Sequence, residues 1–230
     1  MSSNTKSKPK FGMSKMLMYQ MMALVAIVLV FVAGNYFFKK SLHTVMKAPD
    51  FELTDQNNKK ITNKDLAGKV YVVEFFYARC ATICPVMNSN LKFVDKEINN
   101  SDFGIVSITI DPDNDTPAFL KEHAKKLGVK NPNWHFLTGD RDYIGKLANE
   151  FDIYVGDKND KAENLNHSGM IALVDKNGNV RCRFGKDGLP IFYYSGLNYE
   201  DENGTKPKLN GKYQPDRKIL IEDIKKLLEE

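Results

Sequence analysis

The chain has 230 residues, with 33 lysines and arginines against 29 acidic side chains and a formal net charge of +4. That length holds one domain and an appendage, and its three cysteines are too few for a disulfide scaffold. Residues 1–49 contain seven lysines and no acid, which leaves 26 basic against 29 acidic residues beyond them; the basic excess belongs to the N-terminus and argues against nucleic acid as a partner.

Residues 1–16 read as a disordered cytoplasmic tail. Residues 17–38, LMYQMMALVAIVLVFVAGNYFF, carry no charge. A helix of that length is roughly 33 Å long, enough to cross a bilayer, and the reading is a retained transmembrane anchor. A cleaved signal peptide would have a shorter apolar run and a small-residue cleavage site, and FVAGNYFFKK is a poor one. Four lysines precede the span and three follow it, a small bias that keeps the N-terminus in the cytoplasm. The soluble part then lies outside, which in a bacterium is the periplasm. Residues 39–48 read as a linker, and the soluble domain is expected over 49–230.

DFELTDQNNKKITNKDL predicts a short strand, a polar turn at Gln56 to Lys59 and a second strand or helix entry. KVYVVEFFYA is one buried strand. A helix is expected from Pro85 to about Ile98, because proline suits the first helical position; Cys84 then sits at the cap and Cys80 in the loop before it. FGIVSITID is a second buried strand. Thr116 caps the next helix, with Pro117 opening it and Gly128 closing it. NWHFLTGD reads as a strand, RDYIGKLANEFDI as a helix, GMIALVDKNGNVRCRFG as a hairpin turning at Lys176 to Asn179, and KILIEDIKKLLEE as an amphipathic helix. Strands alternating with helices predict a three-layer α/β domain with a mixed sheet. Residues 187–216 read as a surface insertion.

The pair Cys80 and Cys84 carries the chemistry. A strand-to-helix junction offers free N–H groups and partial positive charge, which favour thiolates. Two chemistries fit: thiol–disulfide exchange, which more often uses two intervening residues rather than three, and a soft cation such as Cu(I) or Zn(II), with an imidazole added for Cu(II). Among the histidines, His43 lies in the linker, His123 is expected to be solvated on a helix among lysines, and His135 reads as a strand residue. His167 lies in a loop feeding an apolar strand, where function concentrates. Met87 and Met170 are soft donors by type but read as packing residues, and Cys182 as a strand residue without a role. Asp111, Asp113 and Asp115 lack the glycine and terminal glutamate of a calcium loop and read as a polar turn with a helix cap.

FFYARCATICPVMNSNL, VSITIDPDNDTPAFLKEHAKKLG, WHFLTGD and NHSGMIALVDKNGNV, in that order, resemble successive blocks of the Sco/SenC family. The resemblance covers about Asp50 to Arg183 and the last helix. It implies a membrane-anchored, thioredoxin-like protein that binds copper, Cu(I) or Cu(II), through Cys80, Cys84 and His167. It further implies that the chain receives copper from a donor protein. It would then deliver the metal to the copper-site subunit of cytochrome c oxidase, or keep that site's cysteines reduced through a Cys80–Cys84 redox couple. The family often has an acid before the histidine; Asn166 stands here. Arg79 before Cys80 departs from the motif and is expected to favour thiolates. A membrane-tethered thiol–disulfide oxidoreductase needs only the cysteines. A peroxidase of the thioredoxin superfamily would want Thr three residues before its cysteine, and Thr82 lies two before Cys84.

Overall fold

The structure, a computed structural model, describes residues 15–81, 83–156, 169–185, 188–197 and 216–230. The expected tail falls outside them apart from its last two residues. Helix α1 (Lys15–Lys40) is a unit by itself, and the folded domain begins at Leu42. Its Lys15–Val32 window is long and apolar enough to cross a membrane.

The domain is built on strands β1 (His43–Lys47), β2 (Glu52–Asp55), β3 (Lys60–Thr62), β4 (Val70–Phe76), β5 (Phe103–Thr109), β6 (Trp134–Thr138), β7 (Met170–Val174), β8 (Asn179–Phe184), β9 (Pro190–Ile191) and β10 (Tyr194–Ser195). The helices are α2 (Ile83–Ile98), α3 (Pro117–Leu127), α4 (Arg141–Glu150) and α5 (Asp216–Glu229). The main sheet runs β1-β8-β7-β4-β5-β6-β2-β3, with β10 paired to β7 and β9 to β8. β4, β5 and β6 are parallel, whereas β7 and β8 return antiparallel, so the sheet is mixed as expected.

The apolar runs decide the centre of the sheet. All seven residues of β4 and all seven of β5 are buried, because helices cover both faces of a parallel sheet. Alternation along β4 sorts those helices. Phe76 meets His123 of α3 at 5.7 Å between ring centroids, while its neighbour Phe75 meets Phe151, at the end of α4, at 6.2 Å. α3 and α4 therefore lie on opposite faces. α2 joins the α3 face, since two consecutive crossovers stepping the same way along a parallel sheet are both right-handed. α5 packs on α2 and holds it by Arg217 Nη1 donating to Asn90 at 3.0 Å.

The local signals behave as their chemistry requires. Thr116 accepts from the Phe119 N–H, Pro117 opens α3, and Gly128 closes it at φ 70°. Asp140 caps α4 by accepting from the Tyr143 N–H at 2.8 Å. In the β7–β8 turn, the Asp175 carboxylate accepts from the N–H groups of Asn177 and Asn179, both at 2.9 Å.

Three expectations are corrected. The stretch 39–48, read as a linker, contains β1, which pairs with β8 from His43 opposite Cys182 to Lys47 opposite Asn179. A sheet edge with unpaired backbone groups recruits even the unassuming sequence HTVMK. The helix read as starting at Pro85 starts at Ile83, which puts Cys84 inside the first turn instead of at the cap. The 187–216 segment is not only a surface excursion. Its described part, 188–197, adds β9 and β10, and Tyr194 is buried with its hydroxyl donating to Asp223 at 2.8 Å. Residues 198–215 lie outside the described residues.

Candidate metal centre

The end of β4 and the start of α2 bring the two motif sulfurs together. Tyr77 follows the strand, its carbonyl accepts from the Cys80 N–H at 3.2 Å, and the chain enters α2. The Cys84 N–H points at Cys80 Sγ at 3.4 Å. One of the free N–H groups that open every helix is thus capped by sulfur. Both cysteines are buried, Cys80 at 8% exposure and Cys84 at 2%.

The loop before the helix is gripped from the side. Asp115, fully buried, accepts from the Ala78 N–H at 2.9 Å and from the Thr109 hydroxyl at 2.6 Å. Arg79 donates to Asn114 at 3.3 Å and lies over the Phe119 ring at 4.9 Å. Its guanidinium is engaged with the 114–119 segment. Asp111 and Asp113 both accept from Arg141, at 3.1 and 2.8 Å. The acidic run is the anchor of the cysteine loop, and among the described residues no cluster of three or more His, Cys, Asp or Glu side chains could hold an ion.

Electrostatics correct a further expectation. The Cys84 thiol is pushed far up, first by burial, then by Cys80 and Glu74; a backbone hydrogen bond from Tyr77 works the other way without winning. Desolvation outweighs the helix N-terminus here. The Tyr77 phenol is raised to about 12 by burial and its hydrogen bond with Cys80. Beneath the pair, Glu74 is fully buried and raised to about 7 by desolvation. Its Oε1 accepts from the Ser107 hydroxyl at 2.6 Å, which in turn accepts from the Trp134 indole at 3.0 Å. Asp115, Tyr77 and Glu74 were not foreseen as parts of the site. Glu74 had a signal, as the one acid in an apolar strand; Tyr77 had none.

His167 and Asn166 lie outside the described residues. The chain resumes at Gly169, and that point is close to the cysteine helix. Gly196, just past β10, donates its N–H to the Gly169 carbonyl at 2.8 Å and accepts from Asn90 of α2 at 2.7 Å. Met87, one turn beyond Cys84, packs there: a Cβ at Gly196 would stand 3.0 Å from Met87 Cγ and 3.2 Å from the Gly169 oxygen. Met87 is therefore core, while Met170 is 41% exposed at the start of β7. His123 is not solvated as expected; it packs against Phe76 and Phe136 and lies 3.5 Å from Asn88. His43 stacks edge-on against Phe184, and His135 faces Asp55 at 3.8 Å. Cys182 is buried on β8 opposite His43.

Residues 40–197 match the SCO1/SenC family. The chain belongs to that family. A SCO2-like protein of Rickettsia felis is 33% identical over 147 residues, spanning 61% of this chain and 70% of the relative. A putative copper-binding protein of Stutzerimonas stutzeri is 28% identical over 138 residues, spanning 58% and 66%. Among solved structures, BsSco superposes with a TM-score of 0.63 at 25% identity, over 83% of this chain and 97% of that one. BsSco is described as a member of the Sco family of cytochrome c oxidase assembly proteins with a disulfide switch. The thioredoxin-like fold expected of a SCO1/SenC protein is the fold of this domain: β4-α2-β5, then the antiparallel β7-β8 hairpin and α5.

Proposed function

We propose that this SCO1/SenC protein binds one copper ion through Cys80, Cys84 and His167 and hands it to the binuclear copper site of cytochrome c oxidase. The observation that carries the reading is the meeting of Cys80 Sγ and Cys84 in the first turn of α2, with the stem of the His167 segment, Gly169, bonded to the same helix through Gly196. Two buried thiols in an apolar setting suit a soft ion: each gives up its proton, and the resulting charge is met by the cation and not by water. The imidazole completes a site that also holds Cu(II). The copper-binding description of the Stutzerimonas relative and the oxidase-assembly description of BsSco support this assignment.

The helix α1 is the anchor in this reading, with the domain on the periplasmic face of a bacterial inner membrane. A copper donor protein loads the site, and the oxidase's copper-site subunit unloads it. The cysteine pair also supports a second role, since the Cys80 and Cys84 side chains are within hydrogen-bond reach of each other and would need little movement to form a disulfide; BsSco is described as having a disulfide switch. The two roles are linked: only the reduced pair holds Cu(I), and oxidation releases it.

Copper titration of the full chain against a competing chelator tests the proposal. Wild type binds one ion per chain, Cys80→Ser/Cys84→Ser binds none, and His167→Ala loses Cu(II) affinity much more than Cu(I). Equal affinity in wild type and the double serine variant sinks the metal reading.

A further inference from the structure

Among the described residues, seven large apolar side chains stand exposed outside α1, and three of them fall between 184 and 192: Phe184 at the end of β8, and Leu189 and Phe192 flanking β9. Register joins them into one surface. Phe184 lies opposite Pro190 in the β8–β9 pair, and the Gly185 N–H donates to the Leu189 carbonyl at 2.7 Å. β8 also pairs with β1, where the exposed His43 ring meets Phe184 edge-on at 4.7 Å between centroids. Phe184 is 50%, Leu189 64% and Phe192 46% exposed, so the core uses little of any of them. An exposed apolar cluster of this kind marks a contact surface.

The course of the chain says what covers it. α1 ends at Lys40, Leu42 is already buried in the domain, and His43 is the third residue past the helix. Three residues reach about 11 Å at most. A domain tethered this closely to a membrane-crossing helix meets the bilayer surface at high effective concentration, so a modest patch beside the tether suffices to seat it. Aromatic and leucine side chains suit the boundary between headgroups and acyl chains, and the Lys39-Lys40 pair favours anionic headgroups beside it. Topology adds the consequence. β4 and β8 each run antiparallel to β7, so they run the same way. Phe184 ends β8, and Cys80 follows the end of β4 by four residues. Both therefore stand at the same end of the sheet, on strands two places apart, roughly 10 Å.

We propose that Phe184, Leu189 and Phe192 form a membrane-seating patch. They enter the headgroup–acyl boundary of the bilayer that α1 crosses and hold the cysteine end of the domain at the membrane surface. The proposal rests on α1 being the anchor and goes beyond the copper reading, which needs no lipid contact. Seated this way, Cys80 and Cys84 serve partners whose own metal site or disulfide lies close to the same membrane face.

The test uses the full chain in vesicles of phosphatidylcholine and phosphatidylglycerol, with and without bromine on the acyl chains. Leu189→Trp and Phe192→Trp each place a reporter in the patch; Trp134, 1% exposed within the sheet, supplies a background that bromine does not reach. Bromine should cut the reporter emission to about half. Lys130→Trp is exposed just before β6, at the opposite end of the parallel strands, and should keep its emission. Adding Phe184→Asp and Phe192→Asp to the Leu189→Trp chain should lower the seated fraction at least tenfold and restore the emission. Phe192→Asp alone reads the same loss should the double variant fold poorly, and the urea midpoint in detergent checks each fold. Vesicle flotation after an alkaline wash reads the anchor separately. Chains that float with an unquenched reporter overturn the patch and leave the anchor standing; a surface kept for a protein partner gives that result. Chains that wash off the vesicles overturn the anchor and the patch together.

Discussion

Glu74→Gln isolates the one acid in the central strand. In the folded chain, burial raises the Glu74 carboxyl from 4.5 to about 7, because the charged form has lost its water and retains only the Ser107 hydroxyl as a donor to Oε1. The folded state therefore holds a proton between about pH 4.5 and pH 7 that the unfolded chain has already released. Stability from this group is intact below pH 4.5 and falls as pH rises through that window. At about 1.4 kcal/mol per unit, the loss at pH 8 is about 3 kcal/mol. Glutamine keeps an acceptor for Ser107 and cannot ionise. Urea unfolding of the metal-free, reduced protein should find Gln and wild type nearly equal at pH 4.5, with Gln more stable by about 2–3 kcal/mol at pH 8. A difference that does not change with pH refutes the reasoning, since it would mean Glu74 titrates alike in both states.

Asp115→Ala should lower stability by about 2 kcal/mol, because it strands the Ala78 N–H and the Thr109 hydroxyl; the unfolding midpoint reads that loss, and faster alkylation of Cys80 reads the loosened loop. Thr116→Ala should cost about 1 kcal/mol through the lost cap on α3, measured the same way, with no effect on copper affinity. Because Cys84 stays protonated well above neutral pH, Cu(I) binding must displace its proton, and affinity should rise at least about tenfold per pH unit from pH 6 to 8 without a plateau, more steeply where Cys80 also releases a proton; a flat profile in chelator competition contradicts this.

The sheet centre was legible because its signals are local and redundant. VYVVEFF and FGIVSIT are long enough, apolar enough and β-branched enough to be strands buried on both faces, and Thr116, Pro117 and Gly128 mark α3 at both ends. The misread elements are those whose structure comes from a partner. HTVMK has weak strand character of its own and is strand because β8 offers an edge. β10 lies in a polar stretch and is held by β7 and Asp223, with Asn90 bonding Gly196 just beyond it, none near it in sequence. The site divides likewise. Spacing put Cys80 and Cys84 together, but nothing in DPDNDTP says that its third aspartate anchors the loop before Cys80.

The position of Cys84 sets two effects against each other, and their balance bears on the choice between metal binding and thiol exchange. Lying in the first turn of α2 favours its thiolate by about 0.3–1 kcal/mol, up to about 2 in buried geometry. Burial of an anion in an apolar site costs several kcal/mol, and the thiol is accordingly pushed up. A fast exchange enzyme needs a thiolate available at neutral pH, and Cys84 withholds one, so exchange would have to start from Cys80. A copper carrier does not, because the cation arrives with the charge that the buried sulfur lacks, so the penalty on a bare thiolate falls away in the complex. The order of reactivity follows: in the metal-free reduced chain at pH 7, Cys84 should alkylate far more slowly than a free thiol, and Cu(I) should bind regardless. Alkylation of Cys84 at the rate of a low-pKa thiol would reverse that balance and refute the reasoning from burial.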